Sequence, residues 1–159
     1  MELEVYATAL GGFIYLIVFL FGLALGSFLN SWIWRRHENI RISFGRSICP
    51  QCRRKLKWYE NIPCFSCIML RGKCRTCKNP IPKHFIWVEL STALIFLFIT
   101  WYHLNYHADF SQFHTFEYLR NIIFVGILVA IFIYDYLYRI IPTDLVWMGT
   151  GFGLLYFLF

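Results

Sequence analysis

Charged side chains disappear from the chain between Val5 and Trp34, a run longer than the roughly 20 residues a helix needs to cross hydrocarbon. Arg35 and Arg36 end it. A polar stretch comes next, and apolar residues dominate again from Ile86 to Tyr102, broken only by Glu89. His103 to Glu117 is polar once more, and a third apolar run extends from about Leu119 to Tyr138. Pro142 cannot continue a helix, so Ile140 to Asp144 is predicted to be a tight turn, with Thr143 or Asp144 placed to cap the next helix. The final run, Leu145 to Phe159, has fifteen residues; at roughly 1.5 Å per residue it is too short to cross.

This pattern predicts an all-α polytopic membrane protein with three full transmembrane helices and a partial fourth. The expected divisions are a first span within 1–34, a polar loop at 35–85, a second span at 86–102, an outer loop at 103–118, and a truncated membrane domain starting in 119–159. For an ending inside an apolar helix, the simplest expectation is that more membrane protein once followed.

Composition agrees, since 58% hydrophobic residues exceeds the roughly 45–50% of a soluble domain. Charge then sets orientation. Thirteen of the fifteen Lys and Arg lie between Arg35 and Lys83, against two acids, Glu38 and Glu60, a formal charge of +11. Basic residues in short loops stay on the cytoplasmic side, so the 35–85 loop is expected in the cytoplasm. Glu2 and Glu4 stand where a signal peptide would carry positive charge, which implies an uncleaved anchor with its amino terminus outside.

All six cysteines fall in this loop, as three C-x2-C pairs. In a reducing compartment such pairs are metal ligands more often than disulfides, though disulfides remain the alternative. Cys49 and Cys52 are separated from Cys74 and Cys77 by twenty-one residues, close to the spacing of structural zinc ribbons. Two short knuckles turn four thiolates toward one point and leave no open position, which suits a structural ion. A polar loop this small needs such a staple. One tetrahedral ion uses only four of the six sulfurs. The outer pairs are favoured because basic, turn-prone residues come after each, whereas Cys64-Phe65-Ser66-Cys67-Ile68-Met69-Leu70 reads as an apolar segment lying against the membrane, its cysteines small buried hydrophobes.

Several polar residues sit in or near the spans. Asn30, one turn from the interface, is expected to be hydrogen-bonded at headgroup level. Glu89 is expected to reach back to the interface or to pair with a nearby base. Gly22 and Gly26, four apart, permit close helix packing. His103, His107 and His114 are irregularly spaced and read as solvated, alongside Asp109 and Glu117.

Gly26-Ser27-Phe28-Leu29-Asn30, the outer C-x2-C pairs, Trp58-Tyr59-Glu60-Asn61-Ile62-Pro63, Leu70-Arg71-Gly72-Lys73-Cys74, Val88-Glu89-Leu90 and Asp135 followed by Ile141-Pro142 occur here in that order. The series resembles the prepilin leader peptidases of type IV pilus and type II secretion systems, the A24 aspartic peptidases. The resemblance implies a multi-pass protein of the bacterial inner membrane that removes the basic leader of prepilins at the cytoplasmic face. It also implies possible methylation of the new amino terminus with S-adenosylmethionine, a task of the cysteine region, where Glu60, Arg71 and Gly72 fall.

Asp135 matches the first catalytic aspartate of that family. The second belongs to a Gly-x-Gly-Asp motif, and Gly149-Thr150-Gly151 is followed by Phe152 instead. Cys64 and Cys67 stand where relatives carry larger apolar residues. Aspartic proteolysis needs two carboxylates sharing a proton, so the 159 residues alone are expected to be inactive as a protease. Expected partners are therefore a prepilin-like leader, membrane lipids and a peptidase half on another chain. Two other classes stay open: a stand-alone methyltransferase-like module, and a membrane-tethered zinc ribbon. In the latter, interleaved basic and aromatic residues would bind nucleic acid with steep salt dependence; nothing in the flanking helices requires nucleic acid.

Overall fold

The computed structural model describes residues 2–41, 46–106 and 112–158. Five α-helices occur among them: α1 Glu2–His37, α2 Phe65–Met69, α3 His84–Tyr106, α4 Gln112–Tyr138 and α5 Thr143–Leu158, with a 3-10 turn at Trp58–Asn61. No β-sheet forms among the described residues, only two isolated antiparallel bridges. Within these helices Gly11–His37, His84–Asn105 and Thr115–Tyr138 are long and apolar enough to cross a membrane. They keep large apolar side chains such as Leu20, Phe98 and Phe132 exposed, as a helix facing lipid does. His107 and Asp109 lie outside the described residues, as does the side chain of His114.

The chain divides into two compact units, Met1–Ile95 and Phe96–Phe159. In the first, α1 and α3 run antiparallel at a separation set by glycine. A Cβ at Gly22 would stand 2.6 Å from the Ala93 Cα, and one at Gly26 would stand 2.7 Å from the Glu89 Cα. One step further along the same rows, Asn30 Nδ2 donates to the Phe85 carbonyl at 2.9 Å. Each four-residue step along α1 thus meets a four-residue step along α3, the small-residue packing that holds helices together where lipid gives no hydrophobic incentive. Ala93 and Ile33 are fully buried in this unit.

In the second unit, α4 and α5 are joined by a turn in which Arg139 adopts φ 54° and its amide donates to the Asp135 carbonyl at 2.7 Å. Thr100 Oγ1 donates to the Phe96 carbonyl and lies 2.8 Å from the Tyr118 hydroxyl. Val129, Ala130, Ile133 and Leu145 are buried. Asp144 falls in the first turn of α5.

Candidate metal centre and adjoining cavity

Between α1 and α3 the chain folds one local pattern twice, twenty-five residues apart. In the first copy Leu56 N–H donates to the Ser47 carbonyl, Cys49 N–H to Arg54 and Arg53 N–H to Cys49; in the second Ile81 donates to Gly72, Cys74 to Asn79 and Lys78 to Cys74. The bridges Ile48–Lys55 and Lys73–Pro80 repeat too, and the residue after each second cysteine is left-handed, Arg53 at φ 57° and Lys78 at φ 60°. The first cysteine of each copy, Cys49 and Cys74, is buried, while Cys52 is exposed and Cys77 half-buried.

The four sulfurs lie within 4.8 Å of one another. Ligands held about 2.3 Å from a central Zn²⁺ are about 3.8 Å apart, so the space between them has the size of one ion. Backbone amides complete the environment. The Cys77 and Thr76 N–H groups act on the Cys74 sulfur and, against desolvation, lower its pKa to about 6. The Asn79 amide favours the Cys77 thiolate, yet desolvation and the neighbouring sulfurs push Cys77 up to about 11. One thiolate forms readily and the next is resisted, because negative charge accumulates in so small a space until a cation balances it. The donor set, its spacing and its amides all fit a structural divalent ion.

The other pair behaves differently. Cys64 and Cys67 are half-buried; burial, with the Glu89 carboxylate, pushes Cys64 up to about 11 and moves Cys67 the same way. What separates them from the outer pairs is position, since neither sulfur belongs to the four-sulfur cluster.

Glu60 sits in the 3-10 turn with its side chain fully buried. It takes two hydrogen bonds from Arg54, at 2.9 and 3.1 Å, and one from the Lys57 amide at 2.8 Å. Arg54 chiefly holds its pKa below the ordinary carboxylate range. Because Arg54 lies in the first knuckle, this ion pair fastens the turn to the cluster. Arg71 (φ 51°) and Gly72 (φ 69°) are both left-handed and swing the chain from α2 into the second knuckle. Gly72 N–H donates to Cys67 and its carbonyl accepts from Ile81, and a glycine takes such a φ without steric cost.

Glu89 accepts the Cys64 amide at 2.7 Å, a different role from the expected return to the interface. Cys64 has φ 54° and precedes α2, so its N–H points out of the chain's own hydrogen bonding, and a buried acceptor from α3 meets it. Asn30 is 4% exposed; its amide is used by Phe85, but its Oδ1 is buried without a partner. Under the cluster lies a cavity of about 120 Å³ whose lining includes Asn30, Cys49, Arg54, Glu60, Cys74 and Glu89. A second, of about 280 Å³, adjoins it beside Ser27, Ser31 and Asn61.

Asp135 occupies an exposed face of α4, three residues before its end. Of the predicted site residues, the structure gathers the four cysteines, Glu60, Glu89 and Asn30 around one cluster and cavity, with Arg71 and Gly72 at the turn beside it; Asp135 belongs to the other compact unit. Sequence reasoning missed Arg54. Its one signal was Glu60, an acid in a strongly basic loop, which needs a partner once buried.

A helical membrane protein with a cysteine-built knob between its first two spans is the class this arrangement defines. The model for the bacterial peptidase A24 N-terminal domain matches residues 20–103, and the chain belongs to that family. It is similar to the prepilin leader peptidase/N-methyltransferase of Legionella pneumophila, 29% identical, with 86% of this chain and 54% of the relative covered. The protein of the same name from Myxococcus xanthus is 36% identical over 86% of this chain and 38% of its own length. That from Vibrio cholerae is 40% identical over 56% of this chain and 39% of its own length. The chain thus spans about half the length, or less, of these relatives. No solved structure matches it.

Proposed function

We propose that this chain acts as the amino-terminal part of a prepilin leader peptidase, in which the metal-stapled basic knob faces the cytoplasm and receives the leader of a prepilin. The observation that carries the reading is the paired-knuckle cluster of four sulfurs, set between two spans inside the segment that the family model matches. Zinc is the ion its thiolates suit. The formal charge of the 35–83 segment supports the cytoplasmic assignment; this charge, rather than the cluster, limits which side the knob takes.

Asp135 supplies one of the two carboxylates that aspartic proteolysis requires. In its ionised form it draws a proton from the attacking water, while a protonated partner polarises the scissile carbonyl. No Gly-x-Gly-Asp occurs in the 159 residues; the partner carboxylate is proposed to lie in polypeptide outside them. Methyl transfer would need a site for S-adenosylmethionine. Neither of the two adjoining cavities, at about 120 and 280 Å³, alone reaches the roughly 300–1,000 Å³ of sites that hold such ligands, and methyl transfer is assigned to neither.

The test is to express the chain with a second chain bearing the Gly-x-Gly-Asp helix of a relative, together with a prepilin. Leader removal is expected with Asp135 and is lost with Asp135→Asn. Cleavage that survives Asp135→Asn refutes the assignment.

A further inference from the structure

The short helix α2 divides its residues between two surroundings. Ser66, Cys67 and Leu70 line the cavity beneath the metal cluster. Phe65, Ile68 and Met69, at spacings of three and four that place them on one face, point away from the protein and are 56, 74 and 47% exposed. Trp58, on the turn that packs against α2, is 80% exposed. Four large apolar side chains in a strongly basic loop thus lie open together.

Their level is set by the helix pair. Glu89 lies beside Gly26, and Gly26 precedes Arg35 by nine residues, so it sits about 13 Å further into α1 than Arg35. The Glu89 carboxylate holds the Cys64 amide at 2.7 Å. Even if the side chain and its hydrogen bond, together roughly 7 Å, are directed wholly back toward the start of α3, the beginning of α2 remains several ångströms inside the level of Arg35. The backbone tolerates that position, because the Cys64 amide is taken by Glu89, the Phe65 amide by Pro63 and the Ser66 amide by Ile62. Irregular backbone survives at membrane depth only where it is satisfied in this way.

We infer that residues 58–69 form an interfacial wedge, with Trp58, Phe65, Ile68 and Met69 seated in the lipid leaflet that adjoins the metal knob. Apolar side chains enter the headgroup–acyl boundary while the basic loop faces anionic headgroups, the arrangement of a membrane-surface helix. Glu89 then has a structural reason to be buried in a transmembrane helix: it fixes the depth of the wedge.

The chain is reconstituted in vesicles of phosphatidylethanolamine and phosphatidylglycerol with p-benzoylphenylalanine replacing Ile68 or, as a control, exposed Lys78 at the tip of the second knuckle. Irradiation is expected to give a lipid adduct at position 68 and none at 78. In a parallel measurement with brominated lipid, Trp58→Phe lowers the quenched fraction of tryptophan fluorescence if Trp58 is in lipid and raises it if Trp58 is in water. A crosslink from position 68 to a second copy or to an added prepilin, the absence of any lipid adduct there, or a rise in the quenched fraction overturns the inference.

Discussion

Gly26→Ala is the smallest change that strikes the α1–α3 contact. The added Cβ would lie 2.7 Å from the Glu89 Cα and 3.1 Å from the Val88 carbonyl oxygen, both backbone atoms that cannot rotate aside. Carbon atoms rest about 3.5–4.0 Å apart, so the helices must part by about 1 Å. The Asn30–Phe85 hydrogen bond, now 2.9 Å, then stretches beyond useful length. Overpacking costs about 1–3 kcal/mol and the lost bond about 1 kcal/mol more, a total of about 2–4 kcal/mol. Gly22→Ala should cost a similar amount, with its Cβ 2.6 Å from the Ala93 Cα. The double variant should cost less than the sum, because one separation relieves both clashes. Denaturant unfolding in detergent micelles measures this. Gly11→Ala, which meets nothing within 4 Å, is the control and should be neutral or slightly stabilising. If Gly26→Ala is as stable as Gly11→Ala, close packing of α1 on α3 at Gly26 is refuted.

Cys64→Ser combined with Cys67→Ser should leave one metal ion per chain, whereas Cys74→Ser alone should lose it; metal analysis after gel filtration distinguishes the two. Glu60→Gln breaks a buried ion pair whose removal costs roughly 3–5 kcal/mol when both partners are fully buried; with Arg54 23% exposed the loss should fall at or below the low end, read as earlier chelator-induced unfolding of the knob. Because the folded pKa of Glu60 is depressed, its contribution is fully present above the unfolded value of 4.5 and fades as pH falls through the folded one. The protection factors of amides in the 3-10 turn, corrected for intrinsic base-catalysed exchange, should therefore fall below that range and stay flat above it. Asp135→Asn, on an exposed face of α4, should leave thermal stability within about 0.5 kcal/mol, so that lost cleavage reports chemistry rather than folding.

Much of the architecture was legible because its signals are local. Uninterrupted apolar runs mark the spans, and a C-x2-C followed by a basic residue marks a knuckle wherever it falls. The Gly22–Gly26 spacing hinted at close packing, but only the partner backbone at Ala93 and Glu89 gives it meaning. What stayed hidden depends on pairs distant in sequence. Glu89 looked like a carboxylate in search of a base, since nothing local announces that the Cys64 amide, turned outward by a positive φ, will arrive beside it. Arg54 was one base among thirteen until the fold buried Glu60 against it. Cys64 and Cys67 share the spacing of the outer pairs, and only their place in the fold, half-buried and outside the four-sulfur cluster, sets them apart.

The most direct test is metal K-edge X-ray absorption on the chain purified from membranes. The proposed zinc site requires one ion per chain with four sulfur neighbours at about 2.3 Å, a shell unchanged in the Cys64→Ser, Cys67→Ser double variant. A shell with fewer sulfurs in the unaltered chain, or one that loses sulfur when the middle pair is replaced, would contradict the paired-knuckle cluster on which the proposed function rests.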